Sequence, residues 1–287
     1  MLAAIVGLLM ASAAAQDTRV ILLGTGNPNP EPERSGPAVA VVSGGNVYLV
    51  DCGPGVVRRA AQAGIRMEQI TRAFVTHLHS DHTAGLPDLI FTPAVTGRAA
   101  PLEIYGPPGL RAMTKHVMQA WSEDMRIRLH DLEPSKPAGY VLHAHEVRPG
   151  EVYRDAAVRV TAFAVAHGAW KHAYGYRFEA GGKSIVISGD TTPSERLAEV
   201  AKGCDILVHE VYSQKGWEAR TPEWRRYHAA YHTSAVELGK LAARAQPKKL
   251  VLYHELPMGQ TPEEVLREIR ENFGGEVVYG KDLEVIR

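Results

Sequence analysis

Thr76-His77-Leu78-His79-Ser80-Asp81-His82 is the stretch whose reading decides the fold. It places three imidazoles and one carboxylate within six residues. Zinc takes His nitrogen and carboxylate oxygen, and catalytic zinc sites keep a position open for water. The preceding residues 73–76 have the apolar character of a buried strand's end, and residues 83–90 have the pattern of a helix start. The side chains would sit at a strand-to-helix corner, where those at i and i+2 converge on one ion and the next two on another. A His-rich surface loop is the alternative, since the chain has 13 His in 287 residues. Chance rarely produces this order and spacing.

The pattern His77-x-His79-x-Asp81-His82 resembles the signature of the metallo-β-lactamase-fold hydrolases. The resemblance implies an α/β chain folded as an αββα sandwich, two mixed sheets flanked by helices, with a two-metal site along one edge. Further ligands are expected at strand ends downstream. A strand over 158–165 closes with Ala166-His167-Gly168, one over 183–188 with Gly189-Asp190, and one over 250–253 with His254. Carried over residue by residue, the resemblance puts His77, His79 and His167 on one metal. Asp81, His82 and His254 hold the other, and Asp190 is shared. Two divalent ions are expected, zinc first, although an N/O donor set also admits manganese or iron. Asp51, closing a strand over 46–50, would support the ligating histidines from behind; its other reading is a helix N-cap.

Two metals about 3.5–4 Å apart can bridge one hydroxide and lower its pKa toward neutrality. His209-Glu210 after a strand, and His232-Thr233-Ser234 at a helix start, resemble two motifs of the ribonuclease Z branch of the family. By that analogy His232 stabilises the transition state or protonates the leaving oxygen, and Glu210 orients it and holds its charge. A capping His and a salt-bridged buried Glu are the plainer readings. Asp81, Glu210 and His232 form the expected catalytic set. The likeness covers most of residues 19–255 but departs at one place. The branch carries an extended arm for tRNA between the motifs of His167 and Asp190, where this chain has only residues 168–189. Formal net charge is zero, so the basic footprint of a nucleic-acid binder is missing.

The expectation is therefore a hydrolase of small anionic esters, aryl sulfate or phosphodiester, with nucleic acid not expected as a partner. A ribonuclease Z-like tRNA 3′-endonuclease, a lactonase or β-lactamase, and a non-catalytic metal-binding sensor are its rivals. Residues 213–231 read as a polar loop with two readings. Trp217, Trp224 and Tyr227 hold an aryl group while Arg220, Arg225 or Arg226 meets an anion, or the loop is solvated and its aromatics pack on the core.

With 45% hydrophobic residues the chain can bury a large core. Apolar residues 2–10, then Ala13-Ala14-Ala15 before Gln16, read as a signal peptide over 1–15, although no Lys or Arg precedes the run. The run is too short for a bilayer, which needs about 20 residues. The mature chain, 16–287, is expected as a single periplasmic or secreted domain without a membrane span, with a homodimer left open. A mis-called start codon would instead leave it cytoplasmic. Cys52 and Cys204 lack zinc-pair spacing and are expected as buried free thiols, a disulfide being the alternative. His143 and His145 have no Asp-His after them and are expected to be structural or exposed. Residues 126–132 read as a strand, and the helix over 86–95 as broken at Pro93.

Overall fold

The computed structural model describes residues 17–287. The expected signal segment, 1–15, lies outside them. The first sheet takes β1 (Arg19–Gly24), β2 (Ala38–Ser43), β3 (Asn46–Val50), β4 (Arg72–Phe74), β5 (Leu102–Gly106) and β6 (Leu142–Glu146). The second takes β7 (Gly150–Arg154), β8 (Val158–Ala164), β9 (Tyr174–Ala180), β10 (Lys183–Ile187), β11 (Ile206–Tyr212), β12 (Lys249–Leu256) and β13 (Glu276–Tyr279). A short β14 (Val285–Ile286) returns to pair with β1 in the first sheet. Both sheets are mixed: β1 to β3 run antiparallel and β3 to β6 parallel, while β7 to β10 run antiparallel and β10 to β13 parallel.

Strand side chains alternate between faces, and here both faces are covered. In β1, Val20 and Leu22 point into the core between the sheets, whereas Ile21 and Leu23 point into the outer layer. That explains why this strand reads as an unbroken apolar run. On the first sheet the outer layer is α1 (Val56–Gln62), the one-turn α2 (Ser80–Thr83), α3 (Leu86–Val95), α4 (Leu110–Ala120) and α5 (Ser122–His130). On the second it is α6 (Glu195–Val200), α7 (Gln214–Glu218), α8 (Pro222–Tyr231), α9 (Ala235–Ala245) and α10 (Pro262–Arg270). The αββα sandwich is therefore the fold. Phe74 anchors the inner core, meeting Tyr176 and Phe178 edge-on with ring centroids 5.6 and 5.5 Å apart. Aromatic pairs of this kind add roughly 0.5–1.5 kcal/mol each beyond burial.

Beyond Phe74 the two sheets are stitched together at one end. The Tyr176 hydroxyl donates to the Val75 carbonyl at 2.8 Å, and the Tyr174 amide donates to the Thr76 carbonyl at 2.9 Å. This end carries the histidine stretch.

Several local expectations give way. Residues 126–132 are not a strand; they fall largely within α5. The signal was electrostatic: Glu123 and Asp124 open the helix, Arg128 and His130 close it, and Asp124 pairs with Arg128 at 3.0 Å. The 213–231 loop is instead mostly α7 and α8, started by the Ser213 cap and by Thr221-Pro222. Helix α3 runs through Pro93 without ending there. Cys52 and Cys204 are buried free thiols, as expected. His143 and His145 both contact Glu103, at 2.7 and 2.6 Å, on the partly exposed outer rim of the first sheet.

Candidate metal centre

The histidine stretch leaves β4 and enters α2, so its side chains hang over the stitched edge. Asp51, just beyond β3, organises them. One oxygen accepts the Thr76 amide at 2.8 Å and the other accepts from His82 Nδ1 at 2.8 Å. It is thus a brace rather than a helix cap. Asp51 adopts a left-handed φ of 60°, a conformation that costs energy for a non-glycine residue. Binding Asp51 through Nδ1–H makes His82 present Nε2 to the interior.

The second sheet delivers the other side chains. His167 follows β8, Asp190 follows β10, and His254 lies near the end of β12. The pairing of β11 with β12 slips at this point, leaving His254 as a bulged residue with φ of 46°. Bulges re-aim side chains, and this one turns the ring toward Asp81, 3.1 Å away. Gly189 is required by a close approach. A Cβ there would stand 2.7 Å from the Tyr174 carbonyl oxygen and 2.9 Å from the Thr76 Cβ, at a φ of 61°.

All seven expected ligands meet. His77 Nε2 and His167 Nε2 lie 3.0 and 3.1 Å from His79 Nδ1. Nitrogens bound tetrahedrally to one zinc at about 2.0–2.1 Å stand about 3.3 Å apart, so this trio suits one cation. On the other side, His82 Nε2 lies 3.3 Å from Asp190 Oδ1 and 3.7 Å from Asp81 Oδ2. Asp190 faces both groups, with Oδ2 3.8 Å from His77 Nε2 and 3.5 Å from His254 Nε2. The buried atoms His82 Nε2, Asp190 Oδ1 and His254 Nδ1 have no hydrogen-bond partner. A donor set of imidazoles and carboxylates with orphaned atoms fits a divalent cation. A third set, Asp190, His232 and His254, is also close enough to hold one.

Three partners of this cluster had no signal in the motif. The Trp170 indole N–H donates to His79 Nε2 at 2.8 Å, which leaves Nδ1 as the nitrogen facing the cluster. His167 Nδ1–H donates to the Tyr231 carbonyl at 2.7 Å. Thr76 Oγ1 contacts His77 Nδ1 at 3.0 Å. A Trp three residues after a strand-end His could have been suspected. The Tyr231 carbonyl lies 64 positions from His167 and could not.

Electrostatics follow from burial and crowding. Burial pushes His167 and His232 down to about 4 and holds His77 well below the ordinary imidazole value, with His82 adding to the last. Burial disfavours a charged His82, but the Asp190 and Asp51 carboxylates outweigh it and raise its pKa well above normal. The same contest leaves Asp190 well below the usual carboxylate range, drawn down by His254 and His82. Burial and the Asp190 charge push Glu210 well up. Glu210 Oε1 accepts the Thr233 amide at 2.8 Å, while Oε2 faces His232 Nδ1 at 3.5 Å; neither of these two facing atoms has a hydrogen-bond partner.

The cluster floors a cavity of about 520 Å³. One wall is Arg220, Trp224, Tyr227 and His228; the other is Asn27 to Glu31 with Pro257 to Gly259. The Arg34 guanidinium holds the second wall by bonding both the buried Glu255 and the Thr25 carbonyl, and the Asn27 side chain donates to the Glu255 carbonyl at 2.7 Å.

Residues 46–254 match the family described as the β-lactamase superfamily domain. A protein named ribonuclease Z from Mycobacterium marinum is 37% identical over 273 residues, covering 92% of this chain and 96% of its own length. Ribonuclease Z of Mycobacterium tuberculosis is 34% identical over 271 residues with the same coverage. Among solved structures, the short form of human tRNase Z superposes with a TM-score of 0.71 at 24% identity, covering 94% of this chain and 98% of that one. A metallo-β-lactamase-fold protein of Bacillus subtilis also gives 0.71, at 20% identity, covering 94% of this chain and 99% of its own.

These relatives overturn two expectations: a small anionic ester as substrate, and nucleic acid as a partner not to be expected. Both rested on zero net charge, a missing arm and an expected signal peptide, which together suggested the secreted arylsulfatase-like members of the family. Formal charge averages over the whole surface and says nothing about one cavity wall. The arm argument fails because 271 aligned residues span nearly all of both chains, which leaves no room in that relative for a long arm that this chain lacks.

Proposed function

The chain belongs to the β-lactamase superfamily and, within it, to the ribonuclease Z family, and from that membership we propose that it cleaves a phosphodiester near the 3′ end of tRNA precursors. It is a metal-dependent hydrolase with a divalent-metal site. We assign two ions to that site, zinc first. His77, His79 and His167 hold one, Asp81, His82 and His254 hold the other, and Asp190 serves both. Bound there, such ions polarise phosphoryl oxygens and bring the ionisation of water near neutrality.

The observation that carries the reading is the Glu210 and His232 pair beside Asp190. Burial holds His232 down at about 4 and pushes the Glu210 carboxyl well up, a direction that favours a neutral ring beside a protonated carboxyl. Glu210 Oε2–H is placed to donate to His232 Nδ1 across the 3.5 Å that separates them. His232 Nε2–H then serves the cavity. As the leaving oxygen departs it takes that proton, Nδ1 takes the proton of Glu210, and the carboxylate so formed is held by the Thr233 amide. A nucleotide alkoxide is a poor leaving group, so the proton matters to the rate.

The test is cleavage of a tRNA precursor by metal-loaded protein, with and without chelator. His232→Ala lowers the rate by about 10²–10⁴-fold with bound metal unchanged. Loss of one metal equivalent in that variant would instead make His232 a ligand and sink the relay. Failure of loaded wild-type protein to cut any tRNA precursor overturns the ribonuclease reading. Export through residues 1–15 would part the protein from such RNA. A mature chain beginning at Gln16 on N-terminal sequencing favours export, and one retaining residues 1–15 favours the RNA reading.

A further inference from the structure

Helix α8 buries none of its side chains. Its apolar content lies on one face, because Trp224, Tyr227 and Tyr231 are spaced i, i+3 and i+7. Trp224 is 55% exposed and Tyr227 38%. Large aromatic side chains left in water at the mouth of a cavity mark a binding surface more often than a packing error. The rings form a row leading inward. Trp224 meets Tyr227 edge-on at 5.6 Å, Tyr227 stacks on Tyr231 at 4.5 Å and 21°, and Tyr231 lies 6.3 Å from the His79 ring at 25°. The row therefore runs from solvent to the proposed metal ligands.

Neighbouring side chains of the same segment are already engaged. Trp217 donates its indole N–H to the Arg225 carbonyl at 2.9 Å, and the Arg225 guanidinium lies over the Trp217 ring at 5.9 Å. Arg220 differs: it lines the cavity and forms no ion pair among the described residues. Two open aromatic faces and one unpaired guanidinium beside a phosphodiester-cleaving floor match the chemistry of single-stranded RNA. A base in a duplex already has both faces stacked, whereas an unpaired base offers its faces to a ring, and its phosphate offers oxygens to Arg.

We propose that the Trp224 and Tyr227 face of α8, with Arg220 at its head, docks the unpaired RNA segment adjoining the scissile phosphate. This rests on the ribonuclease reading and adds to it the specificity for an unpaired segment. Bases stack on the two rings, Arg220 meets a backbone phosphate, and the strand is led down the aromatic row to the Asp190 cluster.

The test uses the full chain and synthetic RNA hairpins that carry no tail, a short tail or a longer unpaired tail. Binding is followed by fluorescence anisotropy, and cleavage with metal is measured on the same RNAs. Wild-type affinity should rise with tail length. Trp224→Ala and Tyr227→Ala should each weaken binding of tailed RNA by about 5- to 100-fold and leave tail-free RNA unaffected. Alanine suits an exposed helical position, so these variants fold. Trp224→Phe should recover most of the affinity while losing the indole quenching that a bound tail produces. Arg220→Ala should reduce the slope of log affinity against log salt by about 0.7. Equal affinity of wild-type protein for tailed and tail-free RNA overturns the proposal, as does an equal loss for both RNAs in the alanine variants. Tail-dependent binding without cleavage of any RNA supports the docking face and sinks the ribonuclease reading. Cleavage without tail dependence does the reverse.

Discussion

The edges of the two sheets supply the same kinds of side chain to one cluster, yet they are finished differently. At the edge of the first sheet, Asp51 ties the Thr76 amide and hydroxyl and the His82 ring into a closed network, and His82 Nε2 is the one buried orphan there. At the edge of the second, Asp190 Oδ1, His209 Nε2, Glu210 Oε2, His232 Nδ1 and His254 Nδ1 all lack a partner. Buried polar groups without partners are costly. The first edge is thus a frame set by folding. The second keeps more atoms open, two of them, Asp190 Oδ1 and His254 Nδ1, on side chains able to hold a cation.

That contrast is tested hardest by removing one carboxylate from each side. Asp190→Ala should reduce RNA cleavage by roughly 10³-fold, equivalent to several kcal/mol of transition-state stabilisation. It should also lower bound metal by elemental analysis. In chelator it should lose some stability, because the His254 and His82 charge that draws the Asp190 carboxyl down is left unpaired. Asp51→Ala should lose more in chelator. It strands the Thr76 amide and the His82 ring, and denaturant unfolding should show a loss of about 3–5 kcal/mol. If both variants lose stability equally without metal, the contrast between the edges is wrong.

A pH experiment isolates one orphan. Burial pushes His209 down to about 4, and its Nδ1–H donates to the Glu210 carbonyl at 2.6 Å. The unfolded chain binds a proton near pH 6.5 that the folded ring refuses until about pH 4. The resulting stability is fully present above pH 6.5 and is lost as pH falls toward 4. The stability difference between wild type and His209→Gln in chelator should therefore shrink over that window, by on the order of 3 kcal/mol at most. A difference that does not change between pH 6.5 and 4 would mean that the ring titrates normally.

The smallest effect is expected where the edges meet. The indole N–H of Trp170, from the second sheet's hairpin, donates to His79 Nε2 and so favours the Nδ1–H tautomer of His79 on the first. A ligating Nδ1 must give up that proton, so the indole opposes binding. Trp170→Phe keeps the ring but not the N–H. Metal affinity should rise, by about tenfold at most. An unchanged affinity would show that packing alone orients His79.

The candidate metal cluster was legible because ligand chemistry restricts residue type and because strand ends can be seen in the chain. His167, Asp190 and His254 each follow an apolar run, and a strand's last side chain overhangs the sheet edge. Helices α5 and α8 differ from the expected strand and loop. Helix α5 carries no apolar period, and α8 has only the three aromatics Trp224, Tyr227 and Tyr231 at helical spacing; the signals that start them are charge placement and Thr-Pro, both weaker than hydrophobic alternation. The substrate was misread for a related reason. Net charge is a sum over the surface, whereas recognition happens on one wall of one cavity.

By itself, the order of residues determined the sandwich, through apolar runs covered on both faces, and the His and Asp side chains that meet at the candidate metal centre. Tertiary structure alone decided which nitrogen of each imidazole faces inward, that Trp170 and the Tyr231 carbonyl hold two of the rings, and that an aromatic helix walls the cavity. The physical reason is reach. Donor type and strand periodicity are local properties, carried by residues a few positions apart. The partner of a ring nitrogen is whatever the fold brings within about 3 Å, and for His167 that atom is 64 residues away.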